Sequence, residues 1–170
     1  RTQQGGVILK IIIACDSYKG CMTSREAAGQ IEQAIRRVDP RIEVVSYTMA
    51  DGGEGTAAAF CDVCGGRMVQ VRTSDAYGKK IEASYALIDD DQTAVIDVAS
   101  SIGLTMYPRE KRNPLLASSY GVGTMLLDAA GRGCRKIIIG LGGSSTNDGG
   151  MGLLQSLGAR FYDRDHKYLS

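Results

Sequence analysis

Three short stretches carry the side chains that could do chemistry. They are Asp16, Ser17 and Lys19 in CDSYK (15–19), Asp51 and Glu54 in ADGGEGT (50–56), and Ser144, Thr146, Asn147 and Asp148 in GLGGSSTNDGG (140–150). The carboxylates of Asp16, Asp51, Glu54 and Asp148 could hold Mg2+ through oxygen or take up a proton, and Lys19 supplies a cation. Gly52, Gly53, Gly55, Gly142 and Gly143 leave backbone N–H groups open to close approach by an anion, and Thr56 adds a hydroxyl. This mixture suits phosphoryl transfer, which needs negative charge neutralised on the moving group and an attacking hydroxyl held in line. We therefore take Asp16, Lys19, Asp51 and Asp148 as candidate catalytic residues, with Asp51 and Asp148 also candidate Mg2+ ligands. Which of the carboxylates is the base stays open. So does the plainer alternative, in which Asp148 or Asn147 only caps the helix that follows, and Asp51 only caps its own.

Other chemistries lack parts. No Gly-Lys-Ser/Thr closes a Walker A loop, and no GxGxxG follows the first apolar strand. His166 is the single histidine, so Ser144 and Ser145 have no evident base, and four zinc ligands cannot be assembled. Cys61 and Cys64 form a CxxC at the end of an expected helix, whereas a thioredoxin motif opens one, so structural cysteines are the expectation.

The elements that must position these residues follow from periodicity. Val7–Ala14 and Lys136–Ile139 are nearly continuous apolar runs, as expected of parallel strands buried on both faces. Thr23 or Ser24 caps a helix running to Val38, and Asp39-Pro40 ends it. Ile42–Met49 then reads as a strand, completing a strand-helix-strand unit. A small-residue helix spans Thr56–Cys64. From Arg67 the texture changes to three strands, Met68–Thr73, Lys80–Ile88 and Thr93–Val98, of antiparallel or mixed kind, with alternation in IEASYALI pointing to one face open to water. Ala99–Leu104 begins a short helix, 106–114 is a charged loop, Ser118–Ala130 is a helix, and Met151–Leu157 is another. The change near residues 65–74 is the expected domain boundary. Each chemical loop follows an apolar strand and precedes a helix, the place where open α/β sheets form their ligand crevice.

Composition narrows the partners. Twenty basic and nineteen acidic residues among 170 leave a net charge of +1, which recommends neither nucleic acid nor an anionic membrane. No apolar run is long enough to span a bilayer. Five cysteines, an odd number, argue against a complete disulfide framework and for the cytoplasm. Association with further copies of the chain stays open. Arg1–Gly6 reads as a processed or added end, and the polar stretch 160–170 suggests truncation.

ACDSYKGCMTS, MADGGEGT, SSYGVG and IIIGLGGSSTNDGG, in this order and at these distances, resemble the amino-terminal part of the bacterial type I glycerate kinases (glycerate 2-kinases). The resemblance implies ATP-dependent phosphorylation of D-glycerate to 2-phosphoglycerate with Mg2+. It also implies an α/β fold of two domains, a Rossmann-like parallel-sheet domain and an inserted second α/β domain, both incomplete here. Residues 1–65 would begin the first and 66–170 the second. By motif match it assigns Asp16, Ser17, Lys19, Asp51–Thr56, Ser144, Thr146, Asn147 and Asp148 to the site without dividing them between glycerate and ATP. The sequence departs from the family at Cys15, where proline is usual. A non-catalytic module that binds an anionic metabolite through the same loops is the alternative, and downstream sequence separates the two.

Overall fold

The computed structural model describes residues 9–18 and 20–169. Val7 and Ile8 of the first expected strand, and Lys19, lie outside the described residues. By its internal contacts the chain divides between Ala50 and Asp51.

The first unit is a strand-helix-strand. β1 (Lys10–Cys15) pairs in parallel with β2 (Glu43–Thr48), with Ile11 opposite Val44 and Ile13 opposite Ser46. Between them runs α1 (Ser24–Val38), which begins with a full capping box: the Thr23 hydroxyl accepts from the Glu26 N–H, and the Glu26 carboxylate accepts from the Thr23 N–H. Arg36 and Arg37 sit in its last turn, where cations suit the helix dipole. Ser24, the buried first residue of α1, donates its hydroxyl to the Cys15 carbonyl (2.6 Å) and accepts from the Met49 N–H (3.1 Å). One side chain thus ties together the carboxyl ends of both strands.

In the second unit, α2 (Thr56–Cys64) is followed by β3 (Arg67–Ser74), β4 (Lys80–Ile88) and β5 (Thr93–Asp97). Then come α3 (Ala99–Ile102), two 3-10 turns at 104–106 and 109–111, α4 (Tyr120–Gly131), β6 (Lys136–Gly140) and α5 (Met151–Ser156). A small hairpin of β7 (Phe161–Tyr162) and β8 (Tyr168–Leu169) closes the described chain. The sheet order is β3-β4-β5-β6, antiparallel except for the parallel pair β5-β6, which is the mixed sheet the sequence suggests.

The period of two sorts the sheet into faces. Val69, Val71, Ala83, Tyr85, Leu87, Ala94 and Ile96 pack against Met125, Leu126 and Ala129 of α4. On the opposite face Ala86, Ile88, Val95 and Ile138 meet Ala57, Phe60 and Cys61 of α2. Burying each large aliphatic side chain contributes about 1.5–3 kcal/mol, and this double-sided packing sets the unit's rigidity.

Two expectations are corrected here. Residues 86–88 of β4 are buried on both faces, so the water-open face predicted from IEASYALI is confined to the strand's first half, because α2 covers the rest. The second concerns the strands expected to be buried on both faces: Ile12 of β1 is 62% exposed, and β6 is open as well. β6 is the edge strand of its sheet, with Ile137 and Ile139 each 36% exposed, because β5 is the sole strand it pairs with among the described residues. The helix α2 also packs on β4 and β5, so in this chain it joins the unit that begins at Asp51, although the change of texture in the sequence comes later, near residue 65.

Candidate functional site

The two glycine-rich loops of the second unit meet backbone to backbone. The Gly142 N–H donates to the Gly52 carbonyl at 2.8 Å. A Cβ on Gly140 would lie 2.5 Å from the Gly52 carbonyl oxygen, and one on Gly142 would lie 2.7 Å from the Gly53 Cα, so neither loop tolerates a side chain there. Gly52 (φ 90°) and Gly55 (φ 91°) adopt left-handed backbone that lets 51–56 fold against its neighbour. The structure thus brings Gly52 and Gly53 to Gly142. Asp16 and Ser17 belong to the first unit, where the Ser17 N–H donates to the Asp16 carboxylate (2.7 Å) and Asp16 is exposed.

Behind 51–56 stands a residue that sequence reasoning missed. Asp97, 5% exposed at the end of β5, accepts from the Gly55 N–H through Oδ2 (3.0 Å) and from the Ala57 N–H through Oδ1 (2.7 Å). Both oxygens therefore face the first turn of α2. Burial pushes its carboxyl above the ordinary value, outweighing the hydrogen bonds from Ala57 and Gly55 that favour the ionised form, and the nearby charge of Glu54 pushes the same way. An aspartate closing the apolar run TAVI was the available signal, since a carboxylate at the end of a buried strand needs donors.

Asp148 is engaged just as fully. Its Oδ2 accepts from the Ser119 N–H and hydroxyl (2.8 Å each) and from the Gly152 N–H (3.1 Å), while Oδ1 accepts from the Gly150 N–H (3.1 Å). The Ser119 hydroxyl in turn accepts from the Leu153 N–H (2.9 Å). Burial alone would raise the Asp148 carboxyl, but these donors hold it below its ordinary value. The start of α5 and the start of α4 are pinned to one carboxylate.

Of the glycine N–H groups expected to stand open to an anion, that of Gly55 is thus turned toward the protein's own Asp97, and at the start of α5 the Gly150 and Gly152 N–H groups are turned toward Asp148. Other site residues stay outward. Asp51 is exposed, with only Oδ1 accepting from a described donor, the Gly53 N–H at 3.0 Å, and Glu54 and Asn147 are exposed as well. Thr56 is buried and donates its hydroxyl to the Gly53 carbonyl (2.8 Å), so it shapes the loop. Ser144 and Thr146 share a hydroxyl contact of 3.0 Å, and Gly143 and Ser145 are held by the segment after α3: the Leu104 N–H donates to the Gly143 carbonyl (2.8 Å), and the Ser145 N–H to the Ile102 carbonyl (2.9 Å).

Among the described residues no group of three or more His, Cys, Asp or Glu side chains is arranged to hold a metal ion. The exposed carboxylates of Asp51 and Glu54 still fit Mg2+ chemically, since that ion commonly takes one or two carboxylates and completes its shell with water and phosphate oxygens. Cys61 and Cys64 are free, and burial pushes the Cys61 thiol up, away from the low value a redox thiolate needs. No helix among the described residues is long and apolar enough to cross a membrane.

Comparison with known proteins decides the family. The model of the glycerate kinase family matches residues 11–170. The chain belongs to the glycerate kinase family. It is 42% identical over 159 residues to a glycerate kinase of Haemophilus influenzae, covering 94% of this chain and 42% of that protein. To the glycerate 2-kinase of Escherichia coli K12 it is 43% identical over 155 residues, covering 91% and 41% respectively. A crystal structure of a protein from Salmonella typhimurium LT2 superposes with a TM-score of 0.76 at 40% identity, over 95% of this chain and 44% of that one. The chain therefore spans about two fifths of the length of the glycerate kinases it matches.

Proposed function

We propose that this chain is the amino-terminal portion of an ATP-dependent kinase that phosphorylates D-glycerate to 2-phosphoglycerate in the cytoplasm. The observation that carries the proposal is the close packing of ADGGEGT on GLGG, the two motifs in a glycerate kinase family chain that unite glycine backbone with acidic and hydroxyl side chains. In the reaction the 2-hydroxyl oxygen of glycerate bonds to the γ-phosphorus of ATP, the bond to the ADP oxygen breaks, and the hydroxyl proton passes to a carboxylate.

Asp51 is the best placed of the second unit's carboxylates for that proton or for Mg2+, because Asp148 has both oxygens engaged by donors and Asp97 is buried against α2. Asp16 is the corresponding candidate in the first unit. Mg2+, when bound through Asp51 and Glu54, would supply charge neutralisation of the transferred group. Glu54, Ser144, Thr146 and Asn147 are substrate-binding candidates, and Lys19 is the candidate phosphate-stabilising cation. Asp148 acts here by holding the loop rather than by reacting.

The test is incubation of the full-length protein with ATP, Mg2+ and D-glycerate, with 2-phosphoglycerate as the expected product. No phosphoglycerate, with a different hydroxy acid phosphorylated instead, overturns the substrate. Asp51→Asn is expected to lower kcat by about 100-fold or more, the scale of a lost general base. A kcat within threefold of the parent would remove Asp51 from the chemistry.

A further inference from the structure

We infer that Asp97 is a positioning residue for phosphoryl transfer: its carboxylate clamps the first turn of α2 and so fixes ADGGEGT, and with it Asp51 and Glu54, against the GLGG loop. The inference rests on the kinase reading for its effect on turnover, but its physical basis is independent of the substrate. Asp97 ends β5, whose two neighbours are β4 and the parallel strand β6, so its Cα is held inside the rigid part of the sheet. The next residue reinforces this, because the Val98 N–H donates to the Gly140 carbonyl (3.0 Å) at the point where β6 enters its loop. From that anchor the two oxygens reach Gly55 and Ala57.

The clamp is more than a helix cap. Gly55 is the N-cap of α2 and, being glycine, offers no side chain to accept from its own first turn. Asp97 supplies that acceptor from forty or more positions along the chain, so the helix start is defined by the sheet and not by its own sequence. The loop between Asp51 and Gly55 then has both ends fixed: Gly52 to Gly142, and Gly55 to Asp97. Removing the clamp frees one end, and displacing a reacting group by about 1 Å can cost about 100-fold in rate.

The experiment compares Asp97→Asn, Asp97→Ala and Asp97→Glu in the full-length protein. Asp97→Asn and Asp97→Ala are expected to lower kcat by about 100-fold with KM for D-glycerate changed less than threefold. Amide exchange at Gly55 and Ala57 should accelerate at least tenfold while exchange in β4 and β5 stays as in the parent. Asp97→Glu should recover part of the rate, and formate, but not neutral formamide, should restore turnover to Asp97→Ala by occupying the vacated acceptor position. Parent-like exchange at Gly55 and Ala57 in Asp97→Asn overturns the inference. So does parent-like kcat in Asp97→Ala, or core exchange that rises in parallel with the loop, which marks a merely structural residue. If the parent itself transfers no phosphate to glycerate, the kinase reading fails, and the exchange measurement still decides the clamp.

Discussion

Asp148 illustrates how much structural work one carboxylate can do at the start of a helix. Its carboxylate gathers donors from Ser119, Gly150 and Gly152, which joins the starts of α4 and α5. Replacing it with asparagine turns an acceptor-only group into one that presents N–H to N–H, and we expect a loss of about 1–3 kcal/mol in chemical denaturation. The pH dependence follows from the direction of its shift. A carboxyl held below its unfolded value of about 3.9 stabilises the fold above that pH, and the contribution is lost as pH falls through the lower folded value. The parent should therefore lose stability below about pH 4 more steeply than Asp148→Asn. Equal slopes in acid titrations of the two proteins would show that the hydrogen bonds do not favour the ionised form. Tyr85 gives a second residue-scale check. Its buried hydroxyl donates to Asp128 at 2.7 Å, and Asp128 is also paired with Arg132, so Tyr85→Phe should cost only about 1 kcal/mol.

Most elements were legible from period and punctuation. The helix starting at Ser24 was announced by the Thr23 and Ser24 hydroxyls, and the end of the one at Thr56–Cys64 by Gly65 and Gly66. These are local interactions, so the local sequence suffices to predict them. Burial of β4 and β6 was not legible, because whether a strand's second face is covered depends on where α2 and neighbouring strands dock. The contact of the two glycine loops belongs to the same scale. Gly140→Ala would drive a methyl group into the Gly52 carbonyl, and since both partners are backbone, relief requires the loops to separate. We expect a destabilisation of about 1–3 kcal/mol by thermal unfolding together with a loss of turnover larger than the stability change explains. Retained activity in a destabilised variant would mean that loop spacing does not set the chemistry.

At the scale of the whole chain, hydrophobic burial is unequal. Among the described residues up to Ala50, the buried hydrophobics are Ile13, Ala27 and Ala28, whereas the unit beginning at Asp51 buries Tyr85, Leu87, Ile96, Ile102 and Met125 almost completely. Native-state hydrogen exchange should accordingly find β1 and β2 less protected than β4 and β5 in this chain. Equal protection would indicate that the two units unfold as one. For the same chain, family was the part that the sequence determined: the order of DSYK, ADGGEGT and GGSSTNDGG carries the resemblance that the family match then bore out. Tertiary structure alone decided which carboxylates stay outward. Asp51, Asp97 and Asp148 are the same residue type, and what separates them is how many backbone N–H groups converge on each: one on Asp51, two on Asp97, and three on Asp148 together with the Ser119 hydroxyl. That convergence joins residues far apart in the chain, from Ala57 to Asp97 and from Ser119 to Asp148, so no local pattern encodes it.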